Sequence, residues 1–210
     1  VMWCTDEQAA VATKLLQRAI DALTAWASRW CVSINTDKCS STLFTLSPKQ
    51  KAGDIKINGV PLREDKQPTY LGVTFDDRMT WKHHISKAAT KARRKMAILR
   101  KLSGTTWGAS GKILSKVYQQ GIRPHLEYGS TAWCQASNTT LQEIDKVQNQ
   151  ALRIITGAMK STPIVAMEKI LDIQTLKDRR DTKVMVQSEK FLCIPHHPMK
   201  NRFQDLAMGR

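Results

Sequence analysis

The chain of 210 residues carries 33 Lys and Arg against 18 Asp and Glu, which gives a formal net charge of +15. With 41% hydrophobic and 24% charged residues, the composition excludes a wholly disordered chain and is typical of one or two globular domains. No apolar run approaches the ~20 residues of a membrane span and the start lacks a signal peptide, so we expect an intracellular protein with no membrane partner.

The first predicted element is a helix that ends near Trp30. Thr5 and Gln8 have the spacing of a capping box. The apolar residues that follow recur at helical spacing: Ala12, Leu15, Leu16, Ala19, Ile20, Leu23, Trp26 and Trp30. We therefore expect Trp26 and Trp30 to be core residues.

Short strands are predicted after this helix. Residues 31–35 and 42–46 are rich in β-prone side chains. Asn58 and Gly59 tolerate positive φ and lie between two short apolar runs, which predicts a tight hairpin. Residues 70–75 form one more predicted strand, in which Gly72 allows close approach of another backbone. A helix with small antiparallel strands is the expected arrangement.

The second part of the chain is strongly basic. Residues 79–210 hold 23 basic and nine acidic residues, whereas residues 1–78 hold ten and nine. Residues 79–104 contain no acid, and a helix is predicted over residues 81–102 with Thr80 as its cap. Its apolar stripe consists of Trp81, Ile85, Ala88, Ala92, Met96, Leu99 and Leu102. Such asymmetry favours a nucleic-acid partner, and the alternative is surplus lysine that maintains solubility.

Further helices are predicted to the end of the basic part. They cover residues from 110 to 118 and beyond, 140–156, 163–171 and 176–192. Thr140 and Glu143 form a predicted capping box, and Gly157 is a predicted stop. Pro124 should kink or end the second of the basic helices. Residues 104–110 form the expected flexible joint, in which Trp107 is as readily exposed as buried.

The chain lacks the known self-sufficient catalytic and metal-binding motifs. His83 and His84 are adjacent on a helix and point about 100° apart, which is poor geometry for one metal ion. Residues 193–197 offer at most half of a zinc site. The five scattered cysteines are odd in number, which predicts reduced thiols. We therefore expect no metal and no cofactor to be bound by this chain.

An ordered set of motifs runs along roughly residues 1–185. The first motifs are Trp26-x-x-x-Trp30, Ile34-Asn35-Thr36-Asp37-Lys38, Leu43-Phe44, Ile57-Asn58-Gly59, Tyr70-Leu71-Gly72-Val73-Thr74-Phe75-Asp76 and Met79-Thr80-Trp81-x-x-His84-Ile85. The later ones are Tyr118, Arg123-Pro124-x-Leu126-x-Tyr128-Gly129-Ser130-x-x-Trp133 and Val147-Gln148-Asn149-x-x-Leu152-Arg153-x-Ile155-Thr156-Gly157. In this order, the motifs resemble one family, the reverse transcriptases of jockey-like retrotransposons that lack long terminal repeats.

The resemblance implies an α+β fragment of an RNA-directed DNA polymerase. Residues 1–78 would be the end of a palm, with one helix on a small antiparallel sheet. Residues 79–104 would be a thumb helix, and residues 105–210 a helical thumb and C-terminal extension. The family's catalytic Asp-Asp pair would lie just before Val1, with a third carboxylate and the fingers farther upstream in the same polypeptide. We therefore expect this chain to be inactive alone and to expose an apolar edge or face of its sheet.

Several site residues are implied by the resemblance. Lys38 matches a lysine near the incoming nucleotide that could assist departure of pyrophosphate. The alternative is a solvated lysine in a turn begun by Asn35 and Asp37.

A second predicted site is the segment Tyr70, Leu71, Gly72 and Val73, which resembles the primer grip that holds the growing 3′ end. An apolar strand of this kind is otherwise part of the core of a sheet, and the two roles can coexist. We expect Asp76 and Asp77 to form a turn and not to coordinate Mg²⁺. Mg²⁺ is expected in the intact parent enzyme, which has the clustered carboxylates that bind it.

The helix over residues 81–102 is expected to follow the template–primer backbone. The predicted contacts to phosphate are Lys87, Lys91, Arg94, Lys95 and Lys101. The partners implied are an RNA template and a DNA primer, and the setting is a nuclear or cytoplasmic ribonucleoprotein. The competing interpretations are a non-enzymatic nucleic-acid-binding module and a decayed copy of a mobile element.

Overall fold

A computed structural model describes residues 1–104, 107–197 and 199–200. The chain divides into two compact units, Val1–His83 and His84–Arg210. Helices and short strands occur together, so the expected mixed α and β composition is confirmed. Within the described ranges, no helix combines the length and the apolar character that crossing a membrane requires.

The first unit begins with helix α1, Ala9–Arg29. The predicted capping box is wrong, because α1 starts after Gln8, whose side chain makes no capping hydrogen bond. The Asp6 carboxylate instead accepts a hydrogen bond from the Gln8 backbone N–H at 2.9 Å, in the turn that leads into the helix. At the other end the chain leaves the helix through Cys31, which has a left-handed φ of 55°.

Six two-residue strands follow in the first unit. They are β1 (Ser40–Ser41), β2 (Lys56–Ile57), β3 (Val60–Pro61), β4 (Arg63–Glu64), β5 (Thr69–Tyr70) and β6 (Val73–Thr74). β2 pairs with β3 and β5 with β6, both antiparallel, whereas β1 pairs with β4 in parallel. The expected single antiparallel sheet is therefore wrong. Residues 31–35 and 42–46, which were predicted as strands, join none of these pairs.

Both antiparallel pairs are tight hairpins. The hairpin predicted at Asn58 and Gly59 is confirmed, since these residues have φ of 50° and 80° and lie between β2 and β3. The single strand predicted over residues 70–75 is wrong. Leu71 and Gly72 have φ of 48° and 78° and form the two-residue turn between β5 and β6. Such turns require positive φ at both central residues.

The core of the first unit lies between α1 and the β2–β3 hairpin. Ile20 of α1 packs against Ile55 and Ile57, all three at most 7% exposed. The prediction that Trp26 and Trp30 are core residues is wrong, because they are 52% and 66% exposed. Strands of two residues cover only the side of α1 that carries Ile20. The expected exposed apolar surface is thus present in this unit, on α1 and also on the strand residues Val60 and Tyr70, which are 48% and 50% exposed.

The described part of the second unit consists of helices and their connections, with no strand. Its helices are α2 (Lys82–Leu102, whose first two residues belong to the first unit), α3 (Gly111–Val117), α4 (Arg123–Glu127), α5 (Ser130–Trp133), α6 (Asn138–Thr156), α7 (Ile164–Leu171) and α8 (Leu176–Cys193). A π-helical segment, Tyr118–Ile122, joins α3 to α4. The predicted helices over residues 81–102, 163–171 and 176–192 are confirmed to within a residue.

The ends of the helices test the predicted caps and stops. Gly157 ends α6 with φ of 67°, as predicted. The capping box predicted at Thr140 is wrong, because α6 begins two residues earlier and its cap is Ser137, whose hydroxyl accepts the Thr140 N–H. Pro124 lies in the first turn of α4, where its missing N–H costs no hydrogen bond. The change of helical register falls in the π-helical segment just before it.

The predicted joint at residues 104–110 lies partly outside the described residues, since Thr105 and Thr106 are not described. Trp107 is 71% exposed. Near the end of the described chain, the ring of His197 stacks on Phe191 with centroids 4.3 Å apart. Across the described ranges, no group of three or more His, Cys, Asp or Glu is placed to hold a metal ion.

Candidate nucleic-acid interface

Helix α2 is oriented by a buried face and by a hydrogen-bonded turn that precedes its first residue. The buried residues of this helix are His84, Ile85, Ala89, Ala92, Met96 and Leu99. They recur every three or four residues and therefore lie on one side of the helix. Ile85, Ala92, Met96 and Leu99 confirm the predicted apolar stripe, while Ala88 is only half-buried and Ala89 takes its place.

The turn before α2 is organised by Asp76. Its buried carboxylate accepts backbone hydrogen bonds from Thr80 at 2.8 Å and from Trp81 at 2.7 Å. The prediction that Thr80 caps the helix is wrong, because α2 begins only at Lys82 and the Thr80 hydroxyl bonds to Asp76, at 3.2 Å. Trp81 packs against Phe75 with ring centroids 5.3 Å apart and is buried, as its place in the predicted apolar stripe requires. Asp76 thus occupies the turn position that the sequence predicted for it.

The opposite side of α2 is a basic surface. All five predicted phosphate contacts on this helix are exposed: Lys87, Lys91, Arg94, Lys95 and Lys101. At 100° per residue they occupy an arc of about 120° on the side away from Met96. Within the described ranges, Lys91, Arg94, Lys95 and Lys101 form no ion pair with a carboxylate. These five residues are hereafter called the α2 basic stripe.

His125 of α4 lies close to the α2 basic stripe. Its pKa is lowered, first by partial burial and then by the positive charges of Lys91 and Lys95. The imidazole is therefore neutral at pH 7 and adds no charge to the stripe at that pH. Because an anion at the stripe would offset the two lysine charges, it would also raise the pKa of His125.

His84 lies on the buried face of α2 and not on its basic surface. It is 6% exposed and packs on Trp133 with ring centroids 6.0 Å apart. Burial lowers its pKa, the backbone of Tyr128 opposes this by hydrogen bonding, and Lys87 lowers it further. His83, by contrast, is exposed, and its ring contacts the Gln67 amide at 3.0 Å. The two adjacent histidines do not share a site.

The primer-grip-like segment is the tip of the β5–β6 hairpin. Tyr70 and Leu71 are 50% and 73% exposed, whereas Val73 is half-buried and Thr74 is buried. The Thr69 and Thr74 hydroxyls lie 3.1 Å apart across the strands and hold the hairpin together. The tip thus presents an aromatic ring and a glycine turn to solvent.

Lys38 lies at the end of a short 3₁₀ turn, Thr36–Lys38. The Asn35 side chain accepts a hydrogen bond from the Asp37 N–H at 3.0 Å and so begins this turn. Lys38 itself is exposed. This geometry is compatible with both interpretations of Lys38, the assisting lysine and the solvated one.

A second cluster of charges was not found from the sequence. Glu127 of α4 is 7% exposed and accepts hydrogen bonds from Arg179 and Lys183 of α8. Arg123 and Glu127 are four residues apart, as are Arg179 and Lys183, so each pair is visible as a local helical pattern. Nothing local indicated that the two helices meet, because the contact spans more than 50 residues of chain.

Comparison with known proteins identifies the class to which the chain is related, the RNA-directed DNA polymerases of mobile elements. It is 30% identical over 168 residues to the polymerase from mobile element jockey of Drosophila melanogaster, covering 80% of the chain and 18% of that protein. It is 33% identical over 147 residues to the jockey polymerase of Drosophila funebris, covering 70% and 16%. A probable polymerase from transposon X-element of Drosophila melanogaster is 29% identical over 153 residues, covering 73% and 17%.

These relatives confirm the resemblance to jockey-like reverse transcriptases. The chain is homologous to one segment of these polymerases, and it spans less than a fifth of the length of the curated relatives it matches. No family model matches the chain. No solved structure matches it either.

Proposed function

We propose that this chain is the part of a mobile-element RNA-directed DNA polymerase that holds the template–primer duplex during RNA-templated DNA synthesis. Its partners are an RNA template and a DNA primer. The observation that carries the proposal is the α2 basic stripe, which faces solvent opposite a fully buried face in a homologue of reverse transcriptases. A polymerase must move over every sequence, and contacts to phosphate alone meet that requirement.

The β5–β6 hairpin has a complementary role in this proposal. Its exposed tip, Tyr70 to Val73, holds the primer end: the glycine turn lets the backbone approach a phosphate, and the Tyr70 ring stacks on a sugar or base. Lys38 assists departure of pyrophosphate. The palm and fingers of the same polypeptide supply the carboxylates and Mg²⁺ of the intact enzyme, since two-metal phosphoryl transfer needs clustered carboxylates.

The experiment is a salt titration of binding to a fluorescein-labelled RNA–DNA hybrid, followed by anisotropy. Each neutralised phosphate contributes about −0.9 to the slope of the logarithm of the binding constant against the logarithm of the salt concentration. Four contacts therefore give a slope of about −3.6. The quadruple variant K87Q/K91Q/R94Q/K95Q should flatten this slope and weaken hybrids of every sequence alike.

A matched control removes the same charge elsewhere in the second unit. Lys160, Lys169, Lys177 and Lys190 are exposed and lie outside α2. The variant K160Q/K169Q/K177Q/K190Q should retain most of the slope. Equal losses in the two quadruple variants would show that the surface is only generally basic, and the assignment to α2 would be wrong.

A further inference from the structure

A cleft of about 390 Å³ opens beside α4 and α8 in the second unit. Its lining residues are Gln119, Arg123, Pro124, Glu127, Tyr128, Gly129, Arg179 and Lys183. The lining residues from Arg123 to Gly129 belong to the segment of the Arg-Pro-x-Leu-x-Tyr-Gly motif, for which the resemblance supplied no role. This motif therefore forms one wall of the cleft.

One carboxylate organises the basic side chains of the cleft. Arg179 binds Glu127 with two nitrogens: Nε donates to Oε1, and an Nη donates to Oε2 at 3.1 Å. Lys183 Nζ donates to Oε2 at 2.7 Å, and Arg123 Nε lies 3.6 Å from Oε1. Burial opposes ionisation of Glu127, but the hydrogen bonds from Arg179 and Lys183 outweigh it, and the pKa is lowered. Glu127 is thus ionised at neutral pH.

The cleft keeps a surplus of positive charge and of donors. Three basic side chains face one carboxylate, which leaves a net charge of +2 among the lining residues. Lys183 uses one of its three donors on Glu127, and Arg123 is just beyond hydrogen-bond length. Among the described residues, these two side chains therefore have further donors that make no hydrogen bond, while Arg179 is fixed in place by its paired contact.

The backbone beside the cleft makes a tight turn at Gly129. Gly129 has a left-handed φ of 63°, which turns the chain from α4 into α5. The Trp133 indole N–H donates to the Tyr128 carbonyl at 3.0 Å and fixes this turn. Tyr128 is 55% exposed and is one of the lining residues of the cleft. A π-helical turn, a feature frequent at functional sites, contributes Gln119 to the same wall.

We infer that this cleft is a phosphate-binding subsite, in which Arg123 and Lys183 contact a phosphate of the nucleic-acid backbone beside the Arg179–Glu127 pair. Charged donors in a partly buried setting bind phosphate oxygens strongly. The Tyr128 ring offers a face against which the adjoining sugar or base packs. The inference rests on the proposed function for its ligand, but it places a contact outside α2.

The test compares R123Q/K183Q with the control K177Q/K190Q, which removes two exposed charges from α8 outside the cleft. Hybrid binding is measured by anisotropy against KCl, after circular dichroism has shown that each variant is folded. One lost phosphate contact should reduce the salt slope by about 0.9 and weaken binding about eightfold at 0.1 M KCl. Should the double variant not fold, Lys183→Gln alone provides the test, because Lys183 is 39% exposed and makes one hydrogen bond.

A second arm uses potassium phosphate alone. At matched ionic strength, phosphate should raise the unfolding midpoint of the unsubstituted chain more than that of R123Q/K183Q, because general salting effects act on both chains alike. Phosphate-dependent stabilisation without any change in the hybrid slope would mean a site for free phosphate, and would overturn the nucleic-acid assignment. No difference from the control in either arm would overturn the subsite.

The two proposals fail in different ways. If K87Q/K91Q/R94Q/K95Q binds the hybrid like the unsubstituted chain while R123Q/K183Q is weakened, the α2 proposal is wrong and the cleft remains. If the quadruple variant is weakened while R123Q/K183Q binds the hybrid like the unsubstituted chain, the cleft subsite is wrong and the α2 proposal remains. If the unsubstituted chain binds no hybrid, both the proposed function and the backbone contact are wrong, and the phosphate arm then reports only on a free-phosphate site.

Discussion

Replacing Glu127 by Gln should destabilise the second unit more than any other single loss of a carboxylate. The substitution keeps the shape of the side chain but removes the charge that Arg179 and Lys183 bind. A hydrogen bond to a charged group contributes about 1.5–3 kcal/mol, and truncating a fully buried ion pair costs about 3–5 kcal/mol. Arg179 and Lys183 are 25% and 39% exposed, and solvent screening therefore reduces the expected loss to about 2 kcal/mol.

The pH dependence of this loss follows from the sign of the pKa shift. Because the pKa of Glu127 is lower in the folded chain than in the unfolded chain, its contribution is complete above the unfolded value of about 4.3. The contribution disappears as the pH falls through the folded value. Urea unfolding at pH 7 and at a series of acidic pH values should therefore show a difference between the unsubstituted chain and the Glu127→Gln variant that shrinks with acid.

The control for this experiment is Glu189→Gln, which removes an exposed carboxylate from α8. It should leave the urea midpoint unchanged at every pH. A Glu127→Gln variant as stable as the unsubstituted chain at pH 7, or a loss that is the same at acidic pH, would refute the account of this cluster.

Three further substitutions test individual contacts by urea unfolding. Asp76→Ala leaves the Thr80 and Trp81 N–H groups in the turn before α2 without their acceptor and should cost about 1–2 kcal/mol, and a variant of unchanged stability would rule out a structural role for these bonds. Tyr118→Phe leaves the buried Gln148 oxygen without its 2.6 Å donor and should cost about 1–2 kcal/mol; a neutral result would contradict that bond. Gly72→Ala places a side chain at φ of 78° and should cost about 1 kcal/mol, whereas a stabilising effect would exclude the hairpin turn.

The sequence was most informative where one strong local pattern decides the structure. The apolar stripe of α2 and the Asn58-Gly59 hairpin were predicted because helical spacing and positive-φ preference act over a few residues. Gly157 ends α6 for the same reason. The basic side of α2 was likewise predictable, since the stripe that is buried determines the side that faces solvent.

The errors arose where the outcome depends on distant residues or on competing local signals. Trp26 and Trp30 have the spacing of core residues, but the strands that could cover them are two residues long. β-Propensity over residues 70–75 concealed the turn at Leu71 and Gly72. The Glu127 cluster was missed because its two local pairs, Arg123–Glu127 and Arg179–Lys183, come from helices more than 50 residues apart, and no local pattern predicts such a contact.

The most direct test of the central claim is lysine footprinting by acetylation and mass spectrometry, with and without an RNA–DNA hybrid. The proposed function predicts that the hybrid protects Lys87, Lys91 and Lys95, whereas Lys177 and Lys190 stay equally reactive. All five are exposed in the absence of nucleic acid. Protection confined to lysines outside α2, or equal reactivity of all five with saturating hybrid, would contradict the claim that α2 holds the template–primer duplex.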